Sequence, residues 1–226
     1  MQKLWLVALM ATVSCAATDR AHDAAHSRLE RDNFGIVLID AQPAFWDGMH
    51  GDPEPVLERL EQLLLFADVT NCPLVATFEH SPESNGWLPQ RLEECFPKEG
   101  QRYVKRTFDC CREPEIAAAL NLLGVSQILI AGAETDVCVL QSTLGLLEMG
   151  FEVYLLEDCV FSNEANVGPA LRRCEQAGAI PTTFKSVFYE LEGSVDTATL
   201  PEQWRERYRE LRERIKSPYA LVPSKP

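Results

Sequence analysis

Three residues that lie far apart in this chain have side chains that could together break an acyl bond: Asp40, Lys105 and Cys138. A cysteine thiolate is a nucleophile, a neighbouring carboxylate can take the thiol proton, and a neighbouring ammonium favours the thiolate. The backbone N–H of Cys138 and one N–H of the preceding loop could bind the oxyanion. The predicted chemistry is acyl transfer to sulfur followed by hydrolysis. The simpler interpretations are a helix cap, a surface charge and a core cysteine.

The position of Cys138 along the chain favours a reactive thiol. It follows the apolar run 128–132, which is typical of a buried strand, and it begins a segment whose apolar residues have helical spacing. The first turn of a helix offers free backbone N–H groups and the positive end of the helix dipole. Both stabilise a thiolate, so the sequence predicts that this location favours the ionised form of Cys138.

The elements that must position these residues alternate along the chain. The predicted strands are residues 34–40, 73–78, 102–105, 127–132, 151–156 and 180–184. The predicted helices are residues 53–67, 114–123, 138–149, 166–177 and 201–215. Such alternation indicates an α/β fold, a three-layer αβα sandwich around a six-stranded parallel sheet. Asp40, Lys105 and Cys138 each lie at or just beyond the carboxyl end of a predicted strand, where ligands bind in such sheets.

Length and charge limit the classes of function. The chain has 226 residues, of which 46% are hydrophobic, and this suits one folded domain. Its formal net charge of −13 opposes the approach of nucleic-acid phosphates. We therefore expect no nucleic-acid partner.

The N-terminal residues are typical of an exported protein. Residues 1–17 have the layout of a signal peptide, with one lysine, an apolar run and small residues before the predicted tether, residues 18–32. The residues before Cys15 are similar to a bacterial lipoprotein cleavage site, and a lipid on Cys15 is the only membrane attachment we expect. The predicted location is exported, periplasmic or lipid-anchored; the alternative is a cytoplasmic protein with an N-terminal extension.

Five segments resemble the isochorismatase-like cysteine hydrolase family, which places the hydrolase domain at 33–195 and a C-terminal helix and tail at 196–226. The segments are residues 36–42, 104–108, 131–139, 157–162 and 177–183. The resemblance implies the six-stranded fold, an Asp40–Lys105–Cys138 triad and a homo-oligomer. It also implies a cis peptide between Ala133 and Glu134, which would turn the N–H of Glu134 toward the oxyanion site.

The resemblance is to metal-independent members whose substrate is unassigned. The metal-binding nicotinamidase branch has an Asp-x-His element, whereas Asp47 and His50 here are spaced Asp-x-x-His. We therefore expect neither a metal nor another cofactor. A small amide, imide or ester is the predicted substrate, since relatives that cleave a vinyl ether lack the cysteine.

Several residues near the predicted catalytic group are candidates for a substrate pocket. Glu79 and Asp136 are candidate contacts for a polar substrate. The candidate pocket walls are Phe45, Trp46, Trp87 and Phe108, although core packing or loop anchoring is the simpler interpretation of each. Two other functions stay open: a catalytically silent binding or assembly protein with the same fold, and thiol redox chemistry at the adjacent Cys110 and Cys111.

Overall fold

The computed structural model describes residues 28–216, and within them six strands form one parallel sheet. The strands are β1 (Phe34–Ile39), β2 (Leu74–Glu79), β3 (Gln101–Lys105), β4 (Gln127–Ala133), β5 (Glu152–Phe161) and β6 (Ile180–Thr182). Their order across the sheet is β3-β2-β1-β4-β5-β6. The direction of the chain across the sheet reverses between β1 and β4, so the crevice expected to bind a ligand lies at their carboxyl ends.

Helices cover both faces of the sheet. They are α1 (Pro43–Asp47), α2 (Glu54–Thr70), α3 (Pro82–Asn85), α4 (Gln90–Glu93), α5 (Pro114–Asn121), α6 (Leu140–Glu148), α7 (Gly168–Ala177), α8 (Phe184–Glu192) and α9 (Arg205–Lys216). Successive residues of β1 point to opposite faces of the sheet. Ile36 and Leu38 belong to one hydrophobic core, and Val37 and Ile39 belong to the other. Alternation of this kind places a hydrophobic layer on each face of the sheet. The predicted three-layer sandwich is confirmed.

Strand β5 is longer than predicted and strand β6 is shorter, because helix α8 begins at a residue that was predicted to belong to the strand. The exposed Glu157 was predicted to lie beyond the strand, but β5 continues to Phe161 with a shifted register against β4. Strand β6 ends at Thr182 because the next residue caps a helix: the Thr183 side chain accepts a hydrogen bond from the Ser186 N–H at 3.2 Å. The polar pair Glu157 and Asp158 does not end the strand, because the residues on either side of the pair, Leu156 and Cys159, are buried.

The predicted C-terminal helix forms and packs on its own chain. Helix α9 lies against α2, with ion pairs from Arg207 to Asp68 and from Arg214 to Glu61. Its buried stripe consists of Tyr208, Leu211 and Ile215. Among the described residues, no helix combines the length and apolarity needed to span a membrane.

Tyr208 is expected to hold α9 in place. Its ring stacks on Phe188 at 4.1 Å between centroids, and its hydroxyl donates to the Phe188 carbonyl at 2.5 Å. We expect Tyr208→Ala to lower the free energy of unfolding by about 3–5 kcal/mol, because it leaves a large cavity. Urea denaturation measures this, with Arg209→Ala on the exposed face as the control. A loss no larger than the control's would contradict this packing.

Candidate active site

Asp40 lies where β1 ends, and the backbone there is shaped to hold it. Its φ of 42° is in the left-handed region, which aspartate tolerates better than most residues. The Gly132 Cα lies so close to β1 that an added Cβ would be 1.8 Å from the Ile39 carbonyl oxygen. Only glycine fits at that contact. Strand β4 can therefore approach β1 immediately before the loop that leads to Cys138.

A buried ion pair joins two of the predicted residues. The Lys105 Nζ lies 2.6 Å from Oδ2 of Asp40, and both side chains are fully buried. The hydroxyl of Thr77 donates to Oδ1 of the same carboxylate at 2.8 Å. The two charges compensate each other in a place where either alone would be costly.

Cys138 completes the group on a turn between β4 and α6. Residues Thr135–Val139 form a π-type turn and the α-helix begins at Leu140, so the predicted helix start at Cys138 is two residues early. The Cys138 Sγ accepts a hydrogen bond from Lys105 Nζ at 3.2 Å, and the cysteine is only 3% exposed. The side chains of Asp40, Lys105 and Cys138 therefore meet, and the Lys105 ammonium contacts the other two.

The surroundings of Cys138 favour the neutral thiol at rest. Burial raises the pKa of Cys138 to about 12, and the Asp40 carboxylate adds to the increase. Lys105 opposes this shift but does not overcome it. The pKa of Lys105 itself is raised, because Asp40 and Cys138 together outweigh its burial. The resting site is therefore a carboxylate–ammonium pair beside a thiol.

Glu79 brings a second carboxylate to the sulfur. Its Oε2 lies 3.9 Å from the Cys138 Sγ, at the outer limit for a thiol hydrogen bond. Burial raises the pKa of Glu79, Lys105 lowers it, and Asp40 and Glu134 raise it further. Of the residues predicted to contact the substrate, Glu79 is thus adjacent to the candidate nucleophile.

Two supporting residues, Gln42 and Thr77, were not predicted. The buried Gln42 side chain accepts from the Glu79 N–H at 2.6 Å and donates to the Gly86 carbonyl at 2.8 Å. It thereby ties the end of β2 to the following loop, while Thr77 orients Asp40. The available signal was position only: Gln42 follows Asp40 by two residues, and Thr77 precedes Glu79 by two on a predicted strand.

The loop before Cys138 contains the cis peptide Ala133–Glu134, and the His80–Ser81 bond is also cis. The Glu134 carbonyl accepts hydrogen bonds from the N–H groups of Val137 and Val139, both at 3.1 Å. The loop is therefore tied to the turn that carries Cys138.

The four predicted aromatic pocket walls make different contacts. Trp46 stacks on Phe161 at 3.9 Å, and Trp87 packs edge-on against Phe78 at 4.9 Å. Phe45 packs against the hydrophobic core. Phe108 is exposed and lines, with Asp136, a cavity of about 540 Å³ next to α6. Asp136 also accepts a hydrogen bond from the Ser162 hydroxyl at 2.6 Å.

Two groups of described side chains have the donor types of a metal site. Oxygen and sulfur atoms of Asp40, Glu79 and Cys138 lie within 4.8 Å of one another. The Lys105 ammonium, however, already contacts Asp40 and Cys138, so a second cation there would be repelled. The other group is Asp109 with Cys110 and Cys111. Its carboxylate is already bonded to the Cys111 N–H and to Arg112.

The fold agrees with that of known proteins. The Isochorismatase domain model matches residues 34–186, and the chain belongs to this family. Isochorismatase family protein 1B of Dictyostelium discoideum is 50% identical over 72 residues, but the match spans 31% of this chain and only 35% of that protein. The probable hydrolase YcaC of Escherichia coli is 28% identical over 168 residues, 73% of this chain and 80% of YcaC.

Solved structures extend the similarity to nearly the whole described region. The MAR1 ribonuclease of Caenorhabditis elegans superposes with a TM-score of 0.74 at 26% identity, over 88% of this chain and 100% of that one. YcaC of Pseudomonas aeruginosa, solved with covalent acrylamide, superposes with a TM-score of 0.72 at 25% identity, over 85% of this chain and 97% of that one. The E. coli YcaC structure superposes with a TM-score of 0.72 at 24% identity. It is described as an octameric hydrolase of unknown specificity.

Proposed function

We propose that this protein is a cysteine hydrolase that cleaves a small amide, imide or ester through a thioester on Cys138. The observation that carries the proposal is the placement of the Lys105 ammonium 2.6 Å from Asp40 and 3.2 Å from Cys138, in a buried site. Membership of a family that includes hydrolases supports it.

In the first half-reaction Asp40 takes the thiol proton as sulfur attacks the substrate carbonyl. Lys105 stabilises the developing thiolate, since its ammonium lowers the pKa of Cys138 against the effects of burial and of Asp40. The N–H groups of Glu134 and Cys138 are the proposed oxyanion donors. The C–N or C–O bond then breaks, the leaving group takes the proton from Asp40, and the acyl group remains on sulfur.

In the second half-reaction water replaces the leaving group. Asp40 takes a proton from water, the hydroxyl attacks the thioester carbonyl, and the C–S bond breaks. Sulfur regains its proton from Asp40 and the carboxylic acid product departs. No metal or other cofactor enters the proposed cycle.

The test is a panel of small amides, imides and esters, with intact-mass detection of the acyl-enzyme. We expect a substrate to add its acyl mass to the wild-type chain, and Cys138→Ala to lose both the adduct and turnover, about 10⁴-fold or more. Cys174→Ala, which removes another buried thiol, is the matched control. Unchanged turnover in Cys138→Ala would refute the mechanism. Absence of any adduct across the panel would favour the silent binding protein.

Assembly and location remain predictions. A homo-oligomer is expected, and the octameric E. coli YcaC supports it. Export or lipid attachment depends on residues 1–27 and on Cys15, which lie outside the described part of the chain.

A further inference from the structure

A carboxylate lies where a substituent of the attacked carbonyl must pass. Glu79 ends β2, and the Gln42 side chain holds its backbone N–H at 2.6 Å and its carbonyl at 3.3 Å, so the strand end is fixed. Its Oε2 is 3.9 Å from the Cys138 Sγ. A carbonyl carbon poised for attack lies about 3–3.5 Å from the nucleophile. An atom bonded to that carbon can therefore come within hydrogen-bonding distance of Glu79.

The Glu79 carboxylate has one long hydrogen bond among the described residues, from the Cys138 thiol at 3.9 Å, so a substrate could supply a better donor. The ammonium in the site is shared between Asp40 and Cys138. Burial raises the pKa of Glu79, Lys105 lowers it, and the carboxylates of Asp40 and Glu134 raise it. An ionised carboxylate can only accept hydrogen bonds. A substrate N–H facing Glu79 would satisfy it, whereas an ester oxygen would face it with lone pairs.

We propose that Glu79 sets the specificity of the site, accepting an N–H on the atom next to the scissile carbonyl and so selecting amide-type substrates over the matching esters. The inference rests on the proposed function and narrows it. Glu79 makes no covalent bond in the cycle. It holds the nitrogen that leaves when the C–N bond breaks, while the proton still comes from Asp40. A half-buried acceptor left without an N–H by an ester penalises that substrate.

Two alkylating probes test this choice without knowledge of the natural substrate. Iodoacetamide and methyl iodoacetate both react with a thiol by forming an S–C bond while the C–I bond breaks and iodide leaves. They differ in carrying NH₂ or OCH₃ on the carbonyl. Rates at Cys138 are measured at pH 8 by peptide mass and divided by the rates with N-acetylcysteine. Any effect of a variant on the thiol pKa cancels in the amide-to-ester ratio.

We expect the normalised rate of Cys138 in the wild-type chain to be about tenfold higher with the amide than with the ester. A hydrogen bond to a charged group is strong enough to produce a preference of that size or larger. Glu79→Gln should reduce the preference to about threefold or less, since a neutral acceptor binds N–H more weakly. Glu83→Gln, an exposed carboxylate in α3, is the control and should keep the wild-type ratio.

An equal ratio in wild type and Glu79→Gln overturns the proposal. If Glu79→Gln does not fold, Glu79→Asp is the deciding variant, because it keeps the charge but moves it back by one methylene. An unchanged amide-to-ester ratio in Glu79→Asp would also overturn the proposal. This failure is distinct from failure of the hydrolase proposal, in which Cys138→Ala keeps turnover. Absence of Cys138 labelling by both probes would contradict the two proposals together.

Discussion

Replacing Asp40 with asparagine should change the two reactivities of Cys138 in opposite directions: hydrolysis slows and simple alkylation speeds up. Turnover is expected to fall about 10²–10⁴-fold, because the proton acceptor for the thiol and for water is lost. Alkylation by iodoacetamide should accelerate, because the Asp40 carboxylate is one of the groups that raise the pKa of Cys138. Lys105, released from its partner, then favours the thiolate. Steady-state kinetics and labelling rates at pH 8 measure both effects.

The buried cysteines elsewhere provide an internal control for this variant. Cys110 and Cys159 are both fully buried, so they report any general loosening of the fold. Selective acceleration at Cys138 supports the electrostatic explanation, whereas faster labelling at all three would indicate unfolding. Turnover within threefold of wild type would mean that another group is the base.

The opposing effects follow from a thiol that is protonated at rest. The sequence predicted that the first turn of a helix would favour the thiolate, whereas in the structure burial and the Asp40 carboxylate raise the pKa of Cys138. Burial is the largest cause of the raised pKa of Cys138, and two carboxylates lie nearby against one ammonium. Position on a turn was readable from the sequence; the depth of burial and the count of charges around the sulfur were not.

The site could be anticipated to the extent that it depends on strand ends. Parallel strands bring their carboxyl ends to one edge of the sheet, so Asp40, Lys105 and Cys138 could be placed together before their distances were known. The roles of Thr77 and Gln42 could not, because they depend on the register between β1 and β2 and on the direction of each side chain. Hydrophobic spacing defines elements but does not set register.

The aromatic residues show the same limit. Trp46 and Trp87 were predicted as pocket walls, with core packing or loop anchoring as the alternative. In the structure each has an aromatic partner, Phe161 and Phe78 respectively, and Trp87 remains 48% exposed. A ring can stack on one face and still present the other to a ligand, so the pocket role of both residues stays a prediction. Their sequence position alone did not distinguish the two roles.

Lys105→Met should destabilise the protein strongly, because it leaves the Asp40 carboxylate buried without a cation. The expected loss is about 3–5 kcal/mol in the free energy of unfolding, typical for breaking one half of a buried ion pair. Both side chains are fully buried and their charged atoms are 2.6 Å apart. Urea denaturation measures the loss, and Lys185→Met, at an exposed position in α8, is the control.

The double variant Asp40→Asn with Lys105→Met separates stability from catalysis. In the double variant neither charge is present, so no unpaired charge is buried. We therefore expect the double variant to recover most of the stability lost in Lys105→Met. Turnover should remain absent, since neither the base nor the ammonium is present. A double variant as unstable as Lys105→Met would mean that the pair holds the fold through its geometry. Recovered stability without activity would mean that the buried charges are kept for the chemistry at Cys138, because neutral side chains hold the strands together equally well.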